Sequence, residues 1–173
     1  MDFMVELGEL VIASRLRRLS DVYWQGVTTI YRESGIDFEV KWATVFLLIA
    51  RLGPISVMEI ADRLGITHPA VIQIVNELVR KELITSEKSE QDSRKRLLTL
   101  SPVGEAIIPR MQPLWDAVCA VNQEMINKQT HNLLLALQEM EDQFAEKSFA
   151  SRIRAQLNQT PAPSGAPTEN PHA

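Results

Sequence analysis

The sequence predicts a mainly α-helical protein with a small β-hairpin wing, that is, a winged helix-turn-helix flanked by N- and C-terminal dimerisation helices. Three observations predict this fold class. Two short helix signals lie on either side of a Gly-centred turn between Ile55 and Lys81. An apolar, charged, apolar sequence typical of a hairpin follows and ends at Leu100. Apolar residues at three- and four-residue steps extend before and after this block.

The N-terminal segment is predicted to form one long helix from Phe3 to Tyr31, bent near Gly26. Its apolar residues recur at helical spacing, namely Leu7, Leu10, Val11, Leu19, Val22, Tyr23, Val27 and Ile30. The segment 41–52 is apolar nearly all round, which is typical of a central buried helix. We therefore assign residues 1–37 to an N-terminal dimerisation helix and residues 38–103 to a winged DNA-binding domain.

The first helix of the helix-turn-helix has clear start and stop signals. The Ser56 hydroxyl can cap the free N–H groups, and Glu59 can reach back to the cap residue. Gly65 follows Leu64 where a left-handed residue is needed to end the helix. The sequence therefore predicts a helix that starts at Ser56 and ends at about Leu64.

A second helix is predicted from about Thr67 to Lys81, with Pro69 in its first turn, where a missing N–H is tolerated. Its apolar stripe consists of Val71, Ile74, Val75 and Leu78. The residues left facing outward are Thr67, His68, Ala70, Gln73, Asn76 and Arg80. Such a helix can enter the major groove of DNA as a unit.

The outward residues suit DNA, although they do not require it. Gln73 and Asn76 amides can each bond an adenine edge at two atoms, and Arg80 can bind a phosphate or a guanine. Any surface helix can carry the same residue types, so both interpretations stay open for Gln73 and Asn76 individually.

The wing is predicted as a strand at 83–85, a polar tip at 86–95 and a returning strand at 96–100. The tip carries Lys88, Arg94 and Lys95, with Arg96 next to it, but also three acidic residues, Glu87, Glu90 and Asp92. Asp92 can hold the loop shape and aim a neighbouring basic side chain into a minor groove. A solvated charged turn is the alternative.

After the wing, Ser101 is predicted to cap a helix that has Pro102 at its first position. Pro109 and Pro113 fall inside the pattern and predict a kink or a restart. A last helix is predicted from about Thr130 to Leu157. Residues 104–158 are thus assigned to C-terminal dimerisation helices, and residues 159–173, which hold four of the nine prolines, to a disordered tail.

The flanking helices carry more apolar surface than one winged domain can cover. Dimerisation is the simplest explanation. A monomer in which these helices fold back is the alternative.

The residues of the central block resemble the MarR family of bacterial transcriptional regulators. The resemblance rests on the segments 53–61, 64–67 and 98–104, on the helix with Val71 and Leu78, and above all on Asp92-Ser93-Arg94. It implies a homodimer with interdigitated terminal helices, two winged domains on a palindromic operator, a small ligand or oxidant that changes their separation, and Arg94 in the minor groove.

The chain departs from the family pattern at three positions. Ile72 stands where a small hydroxyl residue is common, Gln73 where Arg is common, and Glu82 where Gly usually precedes the first wing strand. Ile72 can either pack inward or touch a thymine methyl group.

The overall charge of −4 is unusual for a protein that binds DNA, but the charge is unevenly distributed. The segment 80–96 has six basic and four acidic residues, a net charge of +2, while several acidic residues lie near the C-terminus. DNA binding through one face is therefore expected, with strong salt dependence. The sequence has no apolar run long enough for a membrane span and no basic start of a signal peptide, so we expect a cytoplasmic protein.

No pattern indicates an enzyme, a metal site or a cofactor. The single cysteine, Cys119, lies in an apolar helix, and we expect a buried structural thiol in preference to a redox sensor.

An effector crevice is predicted from aromatic and basic residues near the dimer helices. The MarR resemblance implies that such a crevice holds aromatic acids. Its aromatic walls would be Tyr23, Trp24, Trp42 and Trp115, and a carboxylate could bind Arg15, Arg17 or Arg18. Core packing is the alternative for the aromatic residues.

Two functional classes follow. The first is a dimeric transcription factor that responds to an effector. The second is a winged-helix module that binds proteins and has no DNA-binding activity.

Overall fold

The computed structural model describes residues 2–88 and 96–159, and it is mostly helical with a small antiparallel sheet, as predicted. The α-helices are α1 (Phe3–Glu6), α2 (Ile12–Glu33), α3 (Ala43–Leu52), α4 (Val57–Leu64), α5 (His68–Arg80), α6 (Pro102–Asn127), α7 (Leu133–Glu146) and α8 (Phe149–Gln159). The strands are β1 (Ile55–Ser56), β2 (Ile84–Lys88) and β3 (Arg96–Leu100). Single 3-10 turns lie at Gly8–Val11 and Val40–Trp42.

The chain forms two compact units, the first ending at Ala120 and the second beginning at Val121. In the part of the chain that the structure describes, no helix combines the length and the apolar character needed to cross a membrane.

The N-terminal helix is interrupted, which corrects the prediction of one helix bent near Gly26. The α-helical conformation breaks between Glu6 and Ile12, and Gly26 lies within α2. Gly8 has a φ of 54°, in the left-handed region that ends helices. The apolar residues keep their spacing across this break, so periodicity alone could not detect it.

The core of the first unit is built around α3, which confirms the prediction of a central buried helix. Val45, Phe46 and Ile49 are fully or almost fully buried. The Phe38 ring makes edge contacts with three aromatic rings, with centroid distances of 5.9 Å to Tyr31, 5.6 Å to Trp42 and 5.3 Å to Phe46.

The first helix of the helix-turn-helix has the predicted ends. The Glu59 carboxylate accepts a hydrogen bond from the Ser56 backbone N–H at 3.0 Å, and the Ser56 hydroxyl accepts one from the Glu59 backbone N–H at 3.3 Å. Gly65 ends α4 with a φ of 62°. This capping box confirms that local signals fix the position of α4.

The sheet has three strands in the order β1-β3-β2, both pairs antiparallel. Ile55 pairs with Leu98 in the first, and Ile84 pairs with Leu100 in the second. The sequence predicted the hairpin but not β1, and it placed Ser86–Lys88 in the tip, whereas these residues continue β2. Polar side chains fit this strand because its end is exposed to solvent.

The helix after the wing begins as predicted but does not restart. The Ser101 hydroxyl accepts a hydrogen bond from the Gly104 N–H at 2.9 Å and donates one to the Glu82 carbonyl. The helix then runs through Pro109 and Pro113. Because these prolines are four residues apart, the two missing N–H donors lie on one side of the helix, and the other hydrogen bonds can continue.

Cys119 is exposed in the single chain, so the prediction of a buried thiol is wrong. The helix α6 is not covered on all sides at this point, since the neighbouring Val121 is 55% exposed.

The second unit contains α7 and α8, where the sequence predicted one helix. Lys147 is extended, with φ −151° and ψ 123°, and ends α7. The Ser148 hydroxyl then accepts a hydrogen bond from the Ser151 N–H at 3.3 Å and starts α8. The predicted tail begins at Gln159, which is still the last residue of α8, and residues 160–173 lie outside the described residues.

Candidate nucleic-acid interface

The helix α5 is fixed along one side and open along the other. Val71, Val75 and Leu78 are buried against α3, α4 and β2. The predicted outward residues Thr67, His68, Gln73, Asn76 and Arg80 are exposed, and Ala70 is half-buried. The helix therefore presents its polar face to solvent while its apolar face cannot turn away from the core.

Two left-handed residues bracket α5. Gly65 precedes it with a φ of 62°, and Glu82 follows it with a φ of 56°. The second position holds a residue with a Cβ, although Gly is the residue that adopts this conformation most readily. A left-handed conformation costs a residue with a Cβ about 1 kcal/mol. The chain therefore adopts a backbone conformation at Glu82 that is unfavourable for glutamate. The Glu82 carbonyl is held by the Ser101 hydroxyl.

A carboxylate on α5 connects this helix to the 3-10 turn before α3. A Glu77 carboxylate oxygen accepts hydrogen bonds from the Trp42 indole N–H at 2.6 Å and the Lys41 ammonium at 2.8 Å. Lys41 also contacts Glu39 at 3.1 Å. The Lys41 hydrogen bond, and then that of Trp42, lowers the pKa of Glu77, and Glu77 in turn raises the pKa of Lys41. The sequence did not single out Glu77, because its partners lie 35 and 36 residues upstream.

The wing strands carry part of the predicted basic set. The Arg96 guanidinium donates hydrogen bonds to the Ser86 hydroxyl at 3.0 Å and the Ser86 carbonyl at 3.2 Å. Lys88 pairs with Arg96 across the strands, and both are exposed. Cross-strand pairing thus places two cations at the outer end of the described hairpin. Asp92, Arg94 and Lys95 lie outside the described residues.

A groove of about 590 Å³ lies between α4, α5 and the wing strands. Its apolar lining includes Met58 of α4, Ile72 and Val79 of α5, and Leu98 of β3, while Asp62 and Arg96 are among the charged residues at its edges. Ile72 is 39% exposed, so it does not pack inward as one of its two predicted roles required.

The residues predicted for an effector crevice have different surroundings. Tyr23 and Trp24 are exposed on α2, whereas Trp42 is buried in the core. The Trp115 indole N–H donates to the Tyr31 hydroxyl at 3.1 Å.

The basic residues predicted for that crevice lie on α2. Arg15 and Arg17 are exposed, and Arg18 forms an ion pair with Asp2 at 2.7 Å. The Arg18 hydrogen bond lowers the pKa of Asp2. The exposed subset of the predicted crevice is therefore Arg15, Arg17, Arg18, Tyr23 and Trp24. Within residues 2–88 and 96–159, no cluster of three or more His, Cys, Asp or Glu side chains could hold a metal ion.

Comparison with known proteins gives matches at both sequence and fold level. The sequence model of one protein family, described as the MarR family, matches residues 34–95. This segment includes α3, α4 and α5. An uncharacterised HTH-type transcriptional regulator of Staphylococcus aureus is 35% identical over 140 residues, which cover 68% of this chain and 95% of that protein.

Two solved structures have a similar fold at low sequence identity. A MarR transcriptional regulator from Methanosarcina mazei has a TM-score of 0.59 and 12% identity, and the match covers 82% of this chain and 99% of that chain. A cysteine mutant of MarR from Escherichia coli, complexed with operator DNA, has a TM-score of 0.60 and 20% identity, and the match covers 78% of this chain and 94% of that chain.

Proposed function

Because the chain belongs to the MarR family of transcriptional regulators, we propose that it binds a palindromic operator in double-stranded DNA as a homodimer and is released by a small effector. The observation that carries this proposal is the open face of α5, where Gln73, Asn76 and Arg80 are exposed while the opposite face is fixed in the core. The similar E. coli protein is complexed with operator DNA in its crystal structure, which supports DNA binding as the proposal for this chain.

The proposed DNA contacts fall into two groups. The helix α5 would enter the major groove with Thr67, His68, Ala70, Gln73 and Asn76 towards the base edges and Arg80 towards a phosphate. The wing would follow the backbone and the minor groove through Lys88, Asp92, Arg94, Lys95 and Arg96.

A homodimer is supported by the apolar side chains that each compact unit leaves in solvent. On α2 these include Leu16, Leu19 and Val22, which are 41%, 51% and 63% exposed. In the second unit they include Phe149 and Leu157, which are 62% and 67% exposed. Burying such surface against the same surface of a second copy is the usual solution for helices of this kind.

The effector would be a small aromatic acid that contacts Tyr23 or Trp24 and pairs its carboxylate with Arg15, Arg17 or Arg18. In this mode the dimer acts as a repressor in the cytoplasm, and the effector lowers its affinity for DNA. Titration with aromatic acids should change both tryptophan fluorescence and operator affinity. A change in neither would overturn the effector part of the proposal.

The test of DNA binding is the selection of binding sites from random duplex DNA at two salt concentrations. We expect an enriched palindrome with half-sites about one helical turn apart. If about four basic groups per protomer neutralise phosphates, log affinity should fall against log salt with a slope of about −7. Absence of enrichment at low salt would favour the alternative function, a module that binds proteins.

Arg94 provides the matched variant for this test. Arg94→Ala should weaken operator binding by about 1–3 kcal/mol if the wing contacts a groove. Arg51→Ala, which removes an exposed arginine of α3 outside both the proposed DNA contacts and the proposed dimer surface, should leave affinity unchanged. Equal effects of the two variants would argue against a specific role of the wing.

A further inference from the structure

We propose that Ile72 determines part of the DNA specificity by contacting the C5-methyl group of a thymine in each half-site. This inference rests on the proposed function and adds a base preference to it. It starts from an aliphatic side chain that lies exposed on the helix proposed to enter the major groove.

The position of Ile72 on α5 supports a contact with a base. Its side chain is 39% exposed, on a helix whose inward positions Val71 and Val75 are buried. Asn76, one turn further along the same face, is exposed. Ile72 and Asn76 thus form an adjacent aliphatic and amide pair on the exposed side of the helix proposed to enter a major groove.

This pair matches the major-groove edge of an A·T base pair. The adenine offers N7 as an acceptor and N6 as a donor, which an asparagine amide can bond together, and the thymine offers a methyl group. A G·C base pair has no apolar group on that edge. It would leave polar atoms facing the Ile72 side chain without hydrogen bonds. Ile72 therefore favours an A·T pair at the contacted position.

The surroundings of Ile72 favour a firm contact. Met58 and Val79, which are 64% and 40% exposed, line the same groove, so the apolar surface is continuous. A β-branched side chain has few rotamers and loses little entropy on binding.

The charges around the groove favour DNA over an apolar protein segment as its occupant. Arg96 lies at the groove, and Arg80 and Lys88 are exposed on the elements that form it. Of the two acidic groove residues, Glu59 is bound within the capping box of α4. Cationic groups beside an apolar contact suit a polyanion whose bases carry methyl groups.

The test uses the full-length protein and the duplex that it selects. Thymine is replaced by deoxyuridine, which removes only the methyl group, at one symmetric pair of positions at a time. The wild type should lose about 15-fold in affinity at one such pair, since a buried methyl group contributes about fourfold in each half-site. Ile72→Ala should bind the thymine and deoxyuridine duplexes equally.

Leu52→Ala is the matched control, because Leu52 is 40% exposed, loses the same number of carbon atoms, and lies on α3 outside the groove. It should keep the 15-fold preference for thymine. The proposal is overturned if no deoxyuridine substitution weakens binding by the wild type. It is also overturned if deoxyuridine lowers the affinity of Ile72→Ala and of the wild type by the same factor. In both cases operator binding itself persists, so the proposed function stands. If the wild type binds no duplex and a protein occupies the groove, both proposals fail.

Discussion

Phe46 of α3 and Phe149 of α8 are the same type of residue in opposite surroundings. Phe46 is completely buried, whereas Phe149 is 62% exposed. The contrast holds for whole regions, since the winged domain has a continuous core and α1, α7 and α8 contain no buried residue. The winged domain can thus be stable as one chain, while the flanking helices carry surface that a second chain would cover. Stability and assembly should respond to different mutations.

The largest effect is expected from Phe46→Ala. Removing a buried phenyl group leaves a cavity beside Phe38 and should lower the free energy of unfolding by about 3–5 kcal/mol. Phe149→Ala should change the unfolding of the monomer much less. Chemical denaturation of both variants under dilute, monomeric conditions measures the difference. Equal decreases in the free energy of unfolding for the two variants would contradict the difference between the two regions.

The next effect concerns assembly. Leu19→Ala truncates a side chain of α2 that is 51% exposed. We expect the proposed dimer to weaken by about 2 kcal/mol, or about 30-fold in its dissociation constant, because each protomer loses apolar surface at the interface. Analytical ultracentrifugation measures this constant. A matched polar site, Gln25→Ala on the same helix, should have little effect, and a Leu19→Ala dimer of unchanged stability would place the interface elsewhere.

A smaller effect should stabilise the winged domain alone. Glu82→Gly removes the left-handed strain at a φ of 56° and should raise the free energy of unfolding by about 1 kcal/mol. Dimerisation should be unaffected. In contrast, Glu87→Gly in β2 should be destabilising, because glycine weakens an ordinary strand. Denaturation curves that shifted in the same direction for both variants would contradict the strain argument.

The smallest effect is a pH dependence within the winged domain. Because Lys41 and Trp42 lower the pKa of Glu77 below its ordinary value of 4.5, the ionised carboxylate stabilises the fold above that pH. This contribution is lost as the pH falls through the lowered pKa of the folded state. Glu77→Gln keeps an acceptor for Trp42 but no charge. Thermal unfolding between about pH 3 and pH 6 should therefore show the variant approaching the wild type as the pH falls. If the Tm difference between the variant and the wild type stayed constant over this range, the charge of Glu77 would make no contribution to the stability of the fold.

The sequence predicted elements whose signals are local. Ser56, Glu59 and Gly65 fix both ends of α4 within ten residues. At Lys147 the five-residue step from Phe144 to Phe149 departs from helical spacing, yet one helix was predicted across it. The break at Gly8 was missed because the apolar spacing continues through it. Local conformation and helical periodicity are separate signals, and the second hid the first.

The candidate site also has features that the local sequence predicts and features that depend on distant residues. The outward face of α5 followed from a helical period, and the structure exposes Gln73 and Asn76 as expected. Glu77 and β1 depend on contacts between distant parts of the chain. A two-residue strand has no pattern of its own, and a carboxylate does not indicate which lysine it will meet.

Ser56 is both a residue of β1 and the N-cap of α4. Its backbone is part of β1, opposite Leu97 of the wing, and its hydroxyl caps α4 through the Glu59 N–H. Ser56 therefore links the wing directly to the first helix of the helix-turn-helix. If the base of the wing shifts, the cap loosens, and the amide proton of Glu59 exchanges faster with solvent. Hydrogen exchange at Glu59 would thus report on a strand to which Glu59 does not belong.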